Sequence, residues 1–160
     1  GSKRLIASVN GWKINLLVCY DLRFPVWSRQ CSSPIVEEAL EVAQSDGMVA
    51  PELEYDVLIY VANWPQSRSN AWKTLLPARA IENQCYVVGV NRVGDDGNNI
   101  HYAGDSTVVD PLGLPLYTAK DEEHVFTVTL EKSHLHDIRK KFPFWKDADN
   151  FNIIPPAKKL

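Results

Sequence analysis

The chain has 160 residues, 45% of them hydrophobic, which suits one domain over residues 1–160 with a buried core. Its 17 basic and 20 acidic side chains nearly balance at −3, with no basic block, which argues against nucleic acid or an anionic membrane as partner. No apolar stretch approaches the roughly 18 residues of a membrane span, no signal-peptide pattern opens the chain, and Gly1-Ser2 reads as a cloning remnant.

Lys3 to Val9 alternates loosely and predicts a strand. Asn10-Gly11 is a hairpin signal leading into a second strand, Ile14 to Cys19. That strand ends abruptly on cysteine; Tyr20-Asp21 follows, and Phe24-Pro25 opens a helix carrying Trp27, with Pro25 suited to its first turn. Residues 32–54 form an extra segment: Ile35 to Ala43 has helical period, and Asp46-Gly47 closes it as a surface excursion, a lid or a partner surface.

Asp56 to Ala62 is a near-continuous apolar run, as in a strand buried on both faces, and it breaks at Asn63-Trp64-Pro65. A helix follows over Asn70–Gln84 with Trp72, Leu75, Leu76, Ala80 and Ile81 on its apolar side and Pro77 expected to bend or delay it. Cys85 to Val90 is a second doubly buried strand, ending on Asn91-Arg92, and 94–99 is a loop. Thr107–Val109, Leu114–Tyr117 and Val125–Leu130 read as strands, Glu131–Lys141 as a last helix, and an aromatic, proline-rich tail follows. The order β-β-α-β-α-β-β-β-α predicts an α/β sheet with helices packed outside. The two main helices are expected on one face, leaving the other to a second sheet.

Three strands therefore end in polar punctuation: Cys19-Tyr20-Asp21, Asn63-Trp64-Pro65 and Asn91-Arg92. In α/β sheets the ligand crevice lies outside the carboxyl ends of the strands. A cysteine at a strand-to-helix turn points its sulfur out of the sheet, where backbone N–H groups favour negative charge, so thiolate and oxyanion site can share one turn. The alternative is a structural cysteine capping a core strand. Asp21 and Arg23 are either catalytic or an ion pair bracing the turn.

Cys19, Cys31 and Cys85 are an odd number without metal spacing and read as free thiols of a reducing, cytoplasmic compartment. His134 and His136, two apart on a helix, face different sides, and 94–97 reads as a tight turn, so no metal or cofactor is expected.

Cys19-Tyr20-Asp21-Leu22-Arg23-Phe24-Pro25, Val61-Ala62-Asn63-Trp64-Pro65 and Ala78-Arg79-Ala80-Ile81-Glu82-Asn83-Gln84 together resemble the carbon–nitrogen hydrolase (nitrilase) superfamily, its omega-amidase branch in particular. The match runs from about Arg4 to Asn152, interrupted at 32–54. The resemblance implies a four-layer α-β-β-α sandwich, usually dimeric, and a Glu–Lys–Cys triad. Cys19 matches the nucleophile, the Tyr20 backbone N–H an oxyanion donor, Arg23 a contact to a substrate carboxylate, and Asn63 and Trp64 the pocket lining.

In that family the glutamate base and the lysine precede the cysteine. Here 18 residues precede Cys19, none of them glutamate, and Lys3 and Lys13 stand in the wrong context. The resemblance is thus to the C-terminal part of such an enzyme. The expected partners are a small amide substrate and either the N-terminal part of the enzyme or a second copy of the chain in a homo-oligomer. The implied reaction is hydrolysis of the terminal amide of a small dicarboxylate monoamide through a thioester. The rival readings are a non-catalytic remnant or assembly module of this fold, and an unrelated thiol hydrolase with a histidine base.

Overall fold

The computed structural model of the chain describes residues 4–30, 53–149 and 151. Strand β1 (Leu5–Val9) turns at Asn10-Gly11, both with positive φ, into β2 (Trp12–Val18). A 3-10 turn over Cys19–Arg23 leads into the short helix α1 (Pro25–Ser28), with Pro25 at its first position. Strand β3 (Val57–Ala62), helix α2 (Ser69–Asn83) and strand β4 (Tyr86–Asn91) follow. Then come β5 (Val93–Asp95), β6 (His101–Ala103), β7 (Thr107–Val109), β8 (Pro115–Thr118) and helix α3 (Lys132–Lys141).

The main sheet has the order β1-β2-β3-β4-β7-β8. Strands β2, β3 and β4 are parallel, and β1, β7 and β8 extend the sheet antiparallel at its two edges. The three parallel strands thus end at one edge. No helix among the described residues is long and apolar enough to cross a membrane.

Alternation along the strands decides the layers. Leu17, Leu58, Tyr60 and Val87 point to one face, where Trp72, Leu76 and Ala80 of α2 close the larger core. Helix α2 sits close because β4 carries Gly89 beneath it: a Cβ there would lie 2.5 Å from Leu76 Cδ1 and 2.9 Å from Trp72 Cζ2. Pro77 lies inside α2, which runs through it to Asn83 and ends on Gln84 in the left-handed region. Ile81, expected on the apolar side, is instead exposed and lies over Gly113, which has no side chain to meet it.

The opposite face corrects one expectation. Helix α3 packs not beside α2 but across the sheet from it, with Leu135 against Val57 and Tyr86 and a rim of Trp12, Ile14, Ile59, Val88 and Leu130. Arg139 fixes it there, donating to Asp56 Oδ1 (3.1 Å), Tyr55 O (2.8 Å) and Gln84 O (2.9 Å). This cover reaches the amino ends of the strands. Toward the carboxyl ends a cross-strand row, Val18, Val61 and Val90 in register, stays 64%, 55% and 46% exposed.

Two other expectations change. The 94–99 loop is the turn of a small β5–β6 hairpin, with Asp96 Oδ1 accepting from the N–H groups of Asn98 and Ile100. Val125–Leu130 joins no ladder among the described residues; Phe126 stacks on Tyr117 at 3.7 Å between centroids instead. The segment predicted as helical over Ile35–Ala43 lies outside the described residues, as does Cys31.

Candidate active site

Because β2, β3 and β4 run parallel, their polar ends converge. Cys19 follows Val18, Asn63-Trp64 follows Ala62, and Asn91 closes β4 opposite Ala62. Cys19 takes φ +42°, a left-handed conformation that non-glycine residues adopt at a cost. Asp21 braces this turn: its Oδ2 accepts the backbone N–H of Val18 at 3.0 Å. The Cys19 thiol is half-buried and donates to the carbonyl of Asn63, at 3.9 Å. Tyr20, next in the 3-10 turn, turns its ring out to an edge contact with Phe24 at 5.3 Å. The early N–H groups of such a turn lack acceptors inside it.

Arg23 lies over the indole of Trp64, its guanidinium carbon 4.9 Å from the ring centroid. No ion pair joins Asp21 to Arg23 among the described residues, so the ion-pair reading of those two gives way to separate tasks. Trp64 itself is only 3% exposed and donates through Nε1 to Arg68 O at 2.7 Å. It is a platform under Arg23 more than a wall open to solvent. Asn63 is exposed at the same edge.

Behind the turn, Leu22 is buried and its carbonyl accepts Arg79 Nη2 at 2.8 Å. Glu82 takes Arg79 on one oxygen and Arg29 on the other, each at 3.3 Å. The third motif, on α2, therefore supports the Cys19 turn from behind. Cys85, unlike Cys19, is fully buried. Burial pushes the Cys85 thiol far above the ordinary range.

Among the described residues no histidine hydrogen-bonds Cys19. His101 sits between Asp95 and Asp121, His124 stacks on Tyr117, and His134 lies 4.0 Å from Asp110. The histidine-base reading finds no contact to rest on. Nor does any group of three or more histidine, cysteine or acidic side chains among the described residues suit a metal ion.

The carbon-nitrogen hydrolase family matches residues 1–140. The chain belongs to that family. It is 46% identical over 154 residues to the omega-amidase YafV of Escherichia coli strain K12, covering 96% of this chain and 52% of the relative. It is 32% identical over 147 residues to the 2-oxoglutaramate amidase of Bacillus subtilis, covering 92% and 49%. Among solved structures it resembles XC1258 of Xanthomonas campestris, a CN-hydrolase superfamily protein with an arsenic adduct in the active site. The TM-score is 0.83 at 46% identity, covering 96% of this chain and 53% of that one. Nit3 of Saccharomyces cerevisiae, from branch 10 of the nitrilase superfamily, shares the fold with a TM-score of 0.67 at 24% identity. This carbon–nitrogen hydrolase chain spans about half the length of the relatives it matches.

Asn91, marked in the sequence only as the polar end of an apolar run, also has a task at the site. Asn91 closes β4, and its side chain makes three hydrogen bonds to the backbone of Trp64 and Gly104. The signal was an amide ending an apolar run at the same sheet edge as Cys19.

Proposed function

We propose that the chain carries the nucleophile of an amidase acting on the terminal amide of a small dicarboxylate monoamide. Support comes from one arrangement: a cysteine in a left-handed turn at the carboxyl edge of the sheet, with an arginine of the same turn laid on Trp64 nearby. In this reading Cys19 Sγ attacks the amide carbon, and the tetrahedral oxyanion is met by the backbone N–H of Tyr20. The C–N bond breaks, the nitrogen takes a proton and leaves as ammonia, and an acyl thioester remains on Cys19. Water then cleaves the thioester, releasing the carboxylate and restoring the thiol. Arg23 presents its fork to the substrate's far carboxylate, a geometry suited to two parallel N–H donors; Asn63 lines the place between, and Trp64 lies beneath Arg23.

In this reading the glutamate base and the lysine of the family act from a complementary part of the active unit. That part also covers the row Val18–Val61–Val90, which stands beside the nucleophile and is apolar and exposed. The complete sandwich then has four layers, with this chain as the C-terminal part of its catalytic unit, in a soluble, cytoplasmic setting.

The test is ammonia release from a dicarboxylate monoamide such as succinamate. This chain alone should release none, and adding a polypeptide with the family's glutamate and lysine should start turnover. Cys19→Ala should abolish it and trap no thioester, whereas Cys31→Ala and Cys85→Ala should keep most of it. Turnover by Cys19→Ala would sink the assignment.

A further inference from the structure

Asn91 is the last residue of β4 and stands in register with Ala62, the last of β3. Its Oδ1 accepts the N–H of Trp64 at 2.7 Å, while Nδ2 donates to Trp64 O at 3.0 Å and to Gly104 O at 2.7 Å. One N–H and two carbonyls around one amide leave a single assignment of its oxygen and nitrogen. The backbone of Asn91 is clasped too: Ser106 Oγ accepts its N–H at 3.0 Å and donates to its carbonyl at 3.1 Å.

Past Gly104 the chain stays anchored. Gly104 and Asp105 have φ of +67° and +55°, and Trp72 Nε1 donates to Asp105 O at 2.9 Å. Asn91 thus ties the segment leaving β3 to a backbone that is itself fixed to the core. Two features of the site hang on that segment. The Asn63 carbonyl faces Cys19 Sγ at 3.9 Å, and the Trp64 ring supports the Arg23 guanidinium at 4.9 Å.

We infer that Asn91 is a positioning residue: its amide sets the path of Asn63–Trp64, and so fixes both the carbonyl facing Cys19 and the platform under Arg23. An aspartate would keep the acceptor for the Trp64 N–H but set a carboxylate against two carbonyls; alanine would keep none of the three bonds. The Arg23 half of this inference rests on the proposed carboxylate-binding function; the Cys19 half does not.

Labelling of Cys19, quantified on its own peptide by mass spectrometry, separates the two halves without requiring turnover. Iodoacetamide, a neutral reagent, reads the surroundings of the sulfur; the ratio of iodoacetate to iodoacetamide labelling reads Arg23. Asn91→Ala should change the iodoacetamide rate and lower the ratio about threefold, the size expected for losing one exposed ion pair. Tyr86→Phe, which removes a hydrogen bond to Glu131 O at the other end of the same strand, should move neither.

A ratio and a neutral rate equal to wild type in Asn91→Ala would overturn the inference. If Arg23→Met leaves the wild-type ratio unchanged, the carboxylate reading fails, and Asn91 is judged on the neutral rate alone. Should Asn91→Ala not fold, Asn91→Asp is read by iodoacetamide alone, and an unchanged rate there overturns the inference equally.

Discussion

The backbone N–H of Val18 donates to the Asp21 carboxylate across Cys19, at 3.0 Å. The bond closes the turn that holds Cys19 at φ +42°. Asp21→Ala should lower stability by about 1 kcal/mol, the ordinary loss for one such bond. Asp21→Asn, which retains an acceptor oxygen, should lose less. Urea midpoints of the two variants check this; equal losses would mean that the carboxylate acts through its charge.

Arg79 is almost wholly buried between Leu22 O and Glu82. Arg79→Met should cost about 3 kcal/mol, because it leaves a buried carbonyl without its donor and Glu82 without one of its two cations. Arg79→Lys should recover little, since one ammonium cannot serve both acceptors as a guanidinium fork does. Chemical unfolding of both variants measures it.

Gly89 lets α2 lie on β4. Gly89→Ala should cost on the order of 2 kcal/mol, because the new methyl would lie 2.5 Å from Leu76 Cδ1. Combining it with Leu76→Ala should cost less than the sum of the two single changes. A simple sum in thermal unfolding would show that the clash is relieved by other movement.

His101 bridges Asp95 Oδ1 (2.9 Å) and Asp121 Oδ1 (3.3 Å), and the hydrogen bond to Asp95 holds its pKa above the ordinary 6.5. The protonated ring is the paired form, so its contribution is complete below the unfolded value. It is lost as pH rises through the raised folded value. His101→Gln should therefore melt below wild type in acid and match it in alkaline buffer. A gap that widens with pH would reverse the sign and refute the bridge.

The row Val18–Val61–Val90 leaves on the order of 25 cal/mol per Å² of apolar area without cover. The chain alone should therefore associate at micromolar concentration, and Val61→Lys should suppress that association while leaving the melting temperature near wild type. Sedimentation velocity on both proteins decides.

The carboxyl-edge site could be read from sequence because apolar strands of hydrophobic runs stop on residues that strands do not favour: Cys19-Tyr20-Asp21, Asn63-Trp64 and Asn91. The motif around Arg79 and Glu82 carried the family resemblance, but its role in bracing Leu22 depends on a contact 57 residues apart in sequence. Strands β5 and β6 escaped notice because three-residue strands beside glycine and asparagine give no usable period. Val125–Leu130 misled for the opposite reason. Its alternation is that of a strand, yet pairing requires a neighbour that local pattern does not reveal. The side taken by α3 was likewise hidden: Leu135 and Ile138 mark an apolar stripe, and the anchoring of Arg139 on Asp56 and Gln84 decides which face of the sheet receives it.

The backbone at Cys19 also restricts the choice of nucleophile. At φ +42° a side chain branched at Cβ crowds its own main chain, so valine, isoleucine and threonine are strongly disfavoured at this position. Of the two alcohols that might take over from the thiol, serine fits the turn and threonine does not. Any attempt to exchange sulfur for oxygen here, by selection or by design, has one route open, and a screen of all substitutions at position 19 should recover folded protein from serine, alanine and glycine but not from threonine.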